Sequence, residues 1–374
     1  MSRYIAALLL WAATANGQSI AKKPVPSVGT VELERALNRI SADSLRGNLS
    51  FLSSDVLAGR WTPSAGLDIA AEFIASRFRA AGLEPGAEQD YFQKADLTEL
   101  AKKSGELHGR VIDHPVTGRN VVGVLRGSDP ELRNTYVIVS AHYDHIGTLD
   151  TSGKLSEDKA EKDGDRIFNG ANDDGSGTVS VIEIASAFAK MRHRPKRSIV
   201  FIAFCGEELG ALGSLYYTQH PLFPVQQTVA DINLEQVGRS DSDIGKGNAT
   251  TNGYGYTTMT AMFEKAAKLS GVVMVKTKET DKYFPASDNY RFAQVGIPDL
   301  TFATSFDFPD YHKLKDEWQK IDYTEMAKVD RVVARVIWRV ANDKEPPHWN
   351  PENEKTAKFR AARARARPQM NEPE

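Results

Sequence analysis

The chain has 374 residues, of which 41% are hydrophobic and 26% charged, and its formal charge at pH 7 is −2. This length fits one large α/β domain, and the composition is that of an ordinary globular protein. The small net charge gives no general electrostatic case for a nucleic-acid partner, and none is expected.

The first residues have the pattern of a secretory signal. Arg3 supplies a positive start, residues 4–13 are mostly apolar, and Ala15-Asn16-Gly17 places small residues at a cleavage site. We predict a signal peptide over residues 1–17 and an exported protein, either periplasmic or extracellular. The alternative is a membrane anchor, but the apolar run is too short to span a bilayer. No stable anchor is therefore expected after cleavage.

Two helices are predicted before the first strand. Residues 18–44 form a polar leader followed by helical spacing over 31–42, and a stronger helix is predicted over 67–81 and ends at Gly82. The apolar face of this second helix is predicted to consist of Ile69, Phe73, Ile74 and Phe78.

Short apolar runs rich in β-branched and aromatic residues predict buried strands. Helical segments at 178–190 and 209–218 alternate with them, which indicates a mostly parallel central sheet flanked by helices. Functional sites in such sheets form at the carboxyl ends of the strands. The predicted strands lie at 120–125, 135–140, 198–204, 229–234 and 298–302.

Other segments complete the predicted organisation. The only cysteine, Cys205, lies in an apolar run and is expected to be a buried core residue. The last long helix is predicted over 322–342, with Asp322 and Glu325 resembling a capping box. The charged stretch 148–166 is predicted to be a non-core loop. Residues 346–374 are predicted to form a basic, flexible tail, which we favour over contact with an anionic surface.

Histidine and acidic residues follow the predicted strands. His142 comes after residues 136–141, and Asp144 lies two positions on, so both side chains face the same way in an extended backbone. Glu207 and Glu208 follow a buried run directly, a costly position unless they are paired or bound to a cation. Glu235 also stands at a strand end.

Imidazole and carboxylate groups are zinc ligands, and a carboxylate beside them is the usual general base of a hydrolase. Taken singly, several of these residues also have an ordinary structural explanation that does not involve a metal. Asp174, in the Gly-rich turn with Asp173, would suit a helix cap, and Glu235 a solvent-facing position. His312, in a loop before the last helix, carries little weight alone. The remaining histidines are predicted to be surface or structural, namely His108, His114, His145, His193, His220 and His348.

In this order the motifs resemble peptidase family M28, zinc aminopeptidases that include secreted bacterial leucyl-type enzymes. The similarity extends over roughly residues 45–341 and includes Leu52-Ser-Ser-Asp55, Ala58-Gly-Arg60 and Tyr311-His312. It implies a phosphorylase/hydrolase-like three-layer α/β sandwich, with a peptidase domain over 45–345. The stretch between Leu97 and Arg119 is too short for the protease-associated insert of larger relatives.

The resemblance also implies a site with two Zn²⁺ ions and a role for each residue. Asp173 would bridge the ions, with Glu208 and His312 completing one site and His142 and Glu235 the other. Glu207 would be the general base, and Asp144 would orient His142. The peptide bond between Asp173 and Asp174 is expected to be cis. The implied function is a metal-dependent exopeptidase that removes N-terminal amino acids, with peptides that have a free N-terminus as its substrates.

Two departures from the family pattern concern the site. The usual Asn-Leu-Asp-Met is Asn-Leu-Glu235-Gln, so this ligand is longer by one methylene, and the usual Ser-Asp-His is Ser287-Asp288-Asn289. Two alternatives remain open on the same fold. One is a single-zinc enzyme similar to glutaminyl cyclase, and the other is a non-catalytic binding protein. No pattern in the sequence indicates an oligomeric state.

Overall fold

One sheet forms the centre of the protein. The structure, a computed structural model, describes residues 28–108, 111–160 and 164–366, and nine strands pair into one sheet within them. The strands are β1 (Glu84–Pro85), β2 (Phe92–Asp96), β3 (Thr117–Leu125), β4 (Tyr136–His142), β5 (Ser198–Phe204), β6 (Thr228–Leu234), β7 (Asn248–Thr251), β8 (Val273–Met274) and β9 (Thr301–Ala303).

Helices precede, connect and follow these strands. They are α1 (Val28–Leu37), α2 (Ala42–Leu52), α3 (Ala65–Ala81), α4 (Thr98–His108), α5 (Gly177–Ala189), α6 (Leu212–Gln219), α7 (Met259–Ser270), α8 (Asn289–Gln294), α9 (Tyr323–Asn342) and α10 (Ala357–Ala366).

The sheet is parallel through its centre, and antiparallel pairs flank this centre on either side. Its order is β1-β3-β5-β4-β6-β9-β7-β8, with β2 also paired to β3. The four strands β5, β4, β6 and β9 run parallel. Outside them, β3 joins β5 and β7 joins β9 in antiparallel pairs. The predicted fold class, an α/β sandwich with a central sheet between helices, is confirmed.

Both faces of the central strands are buried, because helices cover each side. In β5, Phe201 packs into the larger core with residues of α3, α5 and α9. The next residue, Ile202, packs into a second core with residues of α6 and α8. This alternation explains why the central strands are nearly continuous apolar runs in the sequence.

Several predicted elements match the structure closely. Strand β5 spans the predicted residues, and Cys205 is buried. Helix α9 begins after Asp322, whose carboxylate accepts a hydrogen bond from the backbone N–H of Glu325 at 3.2 Å. Helix α3 ends at Gly82, which has the left-handed φ of 84° that favours glycine there.

The predicted apolar face of α3 is wrong in part. Ile69 is 47% exposed, although it was expected to lie on the buried face with Phe78. The buried side instead includes Ala70 and Ala71. Their small side chains allow the helix to pack closely, so the buried face is rotated from the one that the larger residues indicated.

The C-terminal segment also differs from its prediction. Trp349 and Phe359 are buried and stack with ring centroids 4.9 Å apart, in a cluster with Phe284. The Arg363 guanidinium donates to the carbonyl of Val225 at 2.9 Å. Residues 346–366 are therefore packed on the domain, because aromatic anchors lie among the basic residues. Residues 367–374 of the predicted tail lie outside the described residues.

At the other end, α1 packs onto the same domain through Leu33 and Leu37, which belong to the larger core. The predicted signal peptide over 1–17 and the leader up to residue 27 lie outside the described residues. Within the parts of the chain that are described, no helix has both the length and the apolar character required to traverse a bilayer.

Candidate metal centre

Three neighbouring parallel strands end at the same edge of the sheet, and each carries candidate ligands there. Strand β4 ends at His142, while Glu207 and Glu208 follow β5 and Glu235 follows β6. Ser140 pairs with Asn233 in the register of β4 and β6, two residues before His142 and Glu235 respectively. The sheet itself therefore brings these two side chains close together.

Asp173 reaches this edge from an irregular turn before α5. The backbone N–H groups of Asn172 and Asp173 donate to the carboxylate of Asp316, at 2.9 and 3.1 Å. The peptide bond between Asp173 and Asp174 is cis, as expected. Asp174 does not join the ligands but accepts hydrogen bonds from the N–H groups of Gly177 and His142, so it caps α5 and anchors the end of β4.

His312 enters from the loop before α9. Its backbone has a φ of 54°, and its Nδ1 lies 3.0 Å from the carbonyl oxygen of Leu155. This contact fixes the orientation of the ring and leaves Nε2 facing the acidic residues. Leu155 belongs to the stretch 148–166, so the loop predicted to lie outside the core supports the site directly.

The structure arranges the candidate donors in two groups that share Asp173. The first, which we call the four-donor group, contains His145, Asp173, Glu208 and His312. His312 Nε2 lies 3.2 Å from Asp173 Oδ2 and 3.3 Å from Glu208 Oε2. His145 Nδ1 lies 2.9 Å from Glu208 Oε1. His145 was predicted to be a surface or structural residue, and its place inside this group was missed.

The second, which we call the three-donor group, contains His142, Asp173 and Glu235. His142 Nε2 lies 3.4 Å from Asp173 Oδ1. All five residues predicted as metal ligands thus lie in the two groups, in the pairing that the sequence resemblance implied.

The buried atoms of these groups fit a cation. Within the described residues, His142 Nε2, Asp173 Oδ2 and Glu208 Oε1 are buried and have no hydrogen-bond partner, and neither ring nitrogen of His145 has one. Buried polar atoms are normally satisfied, so a cluster of unsatisfied donors and acceptors facing one another indicates a shared ligand. Imidazole nitrogens and carboxylate oxygens are a donor set that suits Zn²⁺.

The pKa shifts agree with a site for positive charge. Burial would raise the pKa of Glu208, but His312 and His145 together outweigh it and lower this pKa to about 2. Burial would likewise lower the pKa of His312, but Glu208 and Asp173 raise it to about 11. The carboxylates therefore stay ionised and favour a cation between them.

The two other glutamates shift in the opposite direction. Burial, with the negative charge of Glu208 and Glu235, holds the pKa of Glu207 well above its usual value. Burial also raises the pKa of Glu235 to about 7, and His142 and a hydrogen bond from Ser287 only partly oppose it. Glu207 belongs to neither donor group, although it is adjacent to Glu208 in the chain.

Asp144 braces the turn that carries the glutamates. Its carboxylate accepts hydrogen bonds from the backbone N–H groups of Glu207 and Glu208, at 3.1 and 3.4 Å, and from the hydroxyl of Thr62 at 3.2 Å. The nearest acceptor for His142 Nδ1 is the backbone carbonyl of Asp144 at 3.2 Å, whereas the carboxylate is 3.7 Å away. The residue thus contacts both His142 and the turn after β5.

Arg60 holds the segments behind the site, a function that the sequence motif did not reveal. Its guanidinium is fully buried and donates to the backbone carbonyls of Tyr143, Asn169 and Gly170, at 2.7, 2.8 and 2.9 Å. Burial lowers its pKa to about 10, and the nearby Asp144 opposes this shift, so the side chain stays charged at neutral pH. Arg60 thereby connects the His142–His145 segment to the turn of Asp173.

A model of peptidase family M28 matches residues 120–337, more than half of the chain. The chain belongs to peptidase family M28. The matched range includes every residue of both donor groups. Members of this family are zinc metallopeptidases, which agrees with the donor atoms at the sheet edge.

Similar proteins support the same assignment. A protein from Pyrenophora tritici-repentis, described as a probable zinc metalloprotease, is 25% identical over 357 residues, with 83% of this chain and 76% of the relative covered. The structure of the LapA aminopeptidase from Legionella pneumophila superposes with a TM-score of 0.63 at 20% identity, covering 87% of this chain and 79% of that one. A glutaminyl cyclase from Porphyromonas gingivalis gives 0.60 at 21% identity, covering 79% and 97%. These two solved structures show the shared fold.

Two cavities of this M28 protein flank the donor groups, with Tyr311 on the wall of both. The larger, about 220 Å³, is lined by Glu207, Glu208 and His312 on one side and by Ser104 of α4 on the other. The Ser104 hydroxyl donates to the carbonyl of Leu209 at 2.5 Å and so ties α4 to the turn of the glutamates. The smaller, about 60 Å³, is lined by Glu235, Asn252, Tyr283 and Phe306 among others.

Proposed function

We propose that this protein is a dizinc aminopeptidase that removes N-terminal amino acids from peptides, with Glu207 as the general base. The observation that carries the proposal is the position of Glu207. It lines the larger cavity beside Glu208 and His312 but belongs to neither donor group, so its carboxylate is available for proton transfer.

The two donor groups support a role for each predicted ligand. Asp173, shared by the two groups, would bridge two Zn²⁺ ions, with Glu208 and His312 on one and His142 and Glu235 on the other. Zinc bound there would supply Lewis acidity, which polarises a carbonyl and lowers the pKa of water to about 7. Asp144 would hold Glu207 in place through the backbone N–H at 3.1 Å.

Glu207 would act as base and then as acid. It would first accept a proton from the attacking water and then donate it to the amine that leaves when the peptide bond breaks. A buried carboxyl with a raised pKa is suited to hold that proton between the two events.

Charge favours cleavage at the N-terminus. Glu207, Glu208 and Glu235 line the two cavities, and neither described lining contains a lysine or an arginine. The ammonium of a peptide N-terminus is attracted to these three carboxylates, whereas a C-terminal carboxylate would find no lysine or arginine in either lining. An aminopeptidase therefore fits the site better than a carboxypeptidase.

The test is hydrolysis of a panel of aminoacyl-p-nitroanilides by the zinc-loaded protein, beside the same compounds N-acetylated. We expect turnover of free-amine substrates only. Glu207→Gln should lower kcat by about 10²–10⁴-fold, the usual contribution of a general base, with zinc content unchanged. Glu131→Gln, at an exposed position, is the matched control and should retain wild-type rates.

Three results would count against the proposal. Cyclisation of glutaminyl peptides with release of ammonia and no peptide cleavage would favour the single-zinc cyclase alternative. Full activity in Glu207→Gln would remove the assigned base. A protein that binds peptides but turns over none of them would favour the non-catalytic alternative.

We also propose that the protein is exported to the periplasm or the exterior, on the basis of the pattern in residues 1–17. Sequencing the N-terminus of protein purified from its natural source should give Gln18 as the first residue. Retention of Met1 would contradict export by this signal.

A further inference from the structure

We propose that His145 is a fourth protein ligand of one zinc ion, so that the four-donor group binds its ion more tightly than the three-donor group. This inference rests on the proposed function for the identity of the metal. The ligands implied by the family resemblance do not include His145, and the case for it comes from spacing, burial and the backbone around it.

The distances between the donor atoms of the four-donor group fit a single zinc ion bound by all of them. Zinc bonds of 2.0–2.1 Å in a tetrahedral arrangement place neighbouring donor atoms about 3.3 Å apart. His312 Nε2 meets this value, at 3.2 Å from Asp173 Oδ2 and 3.3 Å from Glu208 Oε2. His145 Nδ1 lies 2.9 Å from Glu208 Oε1 and 3.8 Å from Asp173 Oδ2, on either side of the same value.

Burial makes an uncoordinated ring costly. His145 has no exposed surface, and although its Nδ1 lies 2.9 Å from Glu208 Oε1, neither of its nitrogens makes a well-oriented hydrogen bond to the described residues. A polar group buried without a partner loses the hydrogen bonds that it makes to water in the unfolded chain. Coordination through Nδ1 would compensate for that loss at the atom that faces Asp173 and Glu208.

The backbone fixes the ring in this position. Gly170, with a φ of 53°, lies against it so closely that a Cβ there would be 2.4 Å from His145 Cγ. The N–H of His145 donates to the carbonyl of Arg60 at 3.3 Å, and the Arg60 guanidinium donates to the carbonyl of Gly170 at 2.9 Å. The glycine and the arginine together hold the ring against the four-donor group.

The consequence is an unequal pair of sites. Four protein donors are typical of zinc sites that retain their metal, whereas three protein donors leave a position open for water or substrate. We therefore expect the four-donor group to hold its ion through dialysis and the three-donor group, with His142, Asp173 and Glu235, to exchange its ion more readily.

Metal titration tests the inference without reference to turnover. Metal-free protein is titrated with zinc against a chromophoric chelator, for the wild type and three variants. His145→Phe keeps a ring of similar volume without nitrogens, and His145→Asn retains a hydrogen-bond donor near the position of Nδ1. His114→Phe is the matched control, because His114 is 54% exposed and distant in sequence from the donors.

Both His145 variants should lower the affinity for the more tightly bound ion, the one in the four-donor group, by more than about 100-fold. Loss of a residue that only hydrogen-bonds to a metal ligand typically costs about 10–100-fold. The affinity for the weaker ion and both affinities of His114→Phe should stay near wild type. Wild-type affinity in His145→Asn would overturn the inference, since a hydrogen bond would then account for the position. Unchanged affinity in His145→Phe would also overturn it.

X-ray absorption at the zinc edge gives a second readout that needs no variant. In wild-type protein loaded with one zinc per chain, we expect two imidazoles in the coordination shell, from His145 and His312. A single imidazole would overturn the inference even if the variants fail to fold. A protein that is inactive but whose zinc has two imidazole ligands would contradict the proposed function and still support this inference.

Discussion

The two donor groups share Asp173 but are built in different ways. The three-donor group takes His142 and Glu235 directly from the ends of the adjacent strands β4 and β6. The four-donor group takes its other residues from connecting segments, which are supported by Arg60, Asp144 and the carbonyl of Leu155. A sheet edge fixes a small number of ligands rigidly, whereas loops add further ligands only where other contacts hold them.

The groups also differ in charge. Glu208 faces two imidazoles, with His145 at 2.9 Å and His312 at 3.3 Å, and its pKa is lowered to about 2. Glu235 is also buried, but its neighbours His142 and Ser287 offset the effect of burial only in part, so its pKa is raised to about 7. In the metal-free protein, Glu208 is thus ready to bind a cation at neutral pH, while Glu235 is partly protonated.

The largest effect is expected from the residue that the groups share. Asp173→Asn removes the bridging charge, so both zinc affinities should fall by more than about 100-fold, as expected for the loss of a direct ligand. Atomic emission after dialysis should find fewer than one zinc per chain. Asp113→Asn, at a position 84% exposed, is the control and should retain as much zinc as the wild type. Normal retention in Asp173→Asn would show that the groups do not share this residue.

Glu235 allows one group to be weakened alone. Glu235→Gln should lower only the weaker zinc affinity, because the four-donor group does not contain this residue. Glu235→Asp keeps the charge and restores the length usual in the family, so it should bind the second ion better than Glu235→Gln. The measurement is the same chelator titration. Loss of the tighter ion in Glu235→Gln would mean that the assignment of donors to groups is wrong.

A smaller effect is expected at Ser287. Its hydroxyl accepts a hydrogen bond from the Asn233 side chain at 3.1 Å and hydrogen-bonds to Glu235. Ser287→Ala should therefore lower the weaker zinc affinity by about tenfold, within the range for outer-shell partners, and leave the tighter ion unchanged. Ser50→Ala, in a surface turn of α2, is the control. Equal loss at both ions would indicate a general structural defect instead.

The parts of the fold that could be predicted are those determined by local pattern. Strand β5 and helix α9 follow from an apolar run and from apolar periodicity with a cap, and the ligands at strand ends follow from their place after such runs. The helix α4 was not predicted, and neither were the short edge strands β1 and β8. Their sequences are polar or very short, and pairing with distant segments decides their structure.

The same distinction applies to the site. His145 was missed because its direction is set by Gly170 and Arg60, both far from it in the sequence. Asp316 was missed because its role is to bind the backbone of Asn172 and Asp173. The C-terminal segment was misjudged because its basic composition indicates solvation, while Trp349 and Phe359 find a cluster formed by residues far earlier in the chain.

An anomalous difference map at the zinc edge, from crystals of the zinc-loaded protein, would show directly whether the centre binds two zinc ions. We predict two peaks, one on each side of the Asp173 carboxylate: one among His145, Glu208 and His312, and one between His142 and Glu235. Lower occupancy is expected at the second peak. A single peak at saturating zinc, or a peak away from Asp173, would contradict a two-zinc centre.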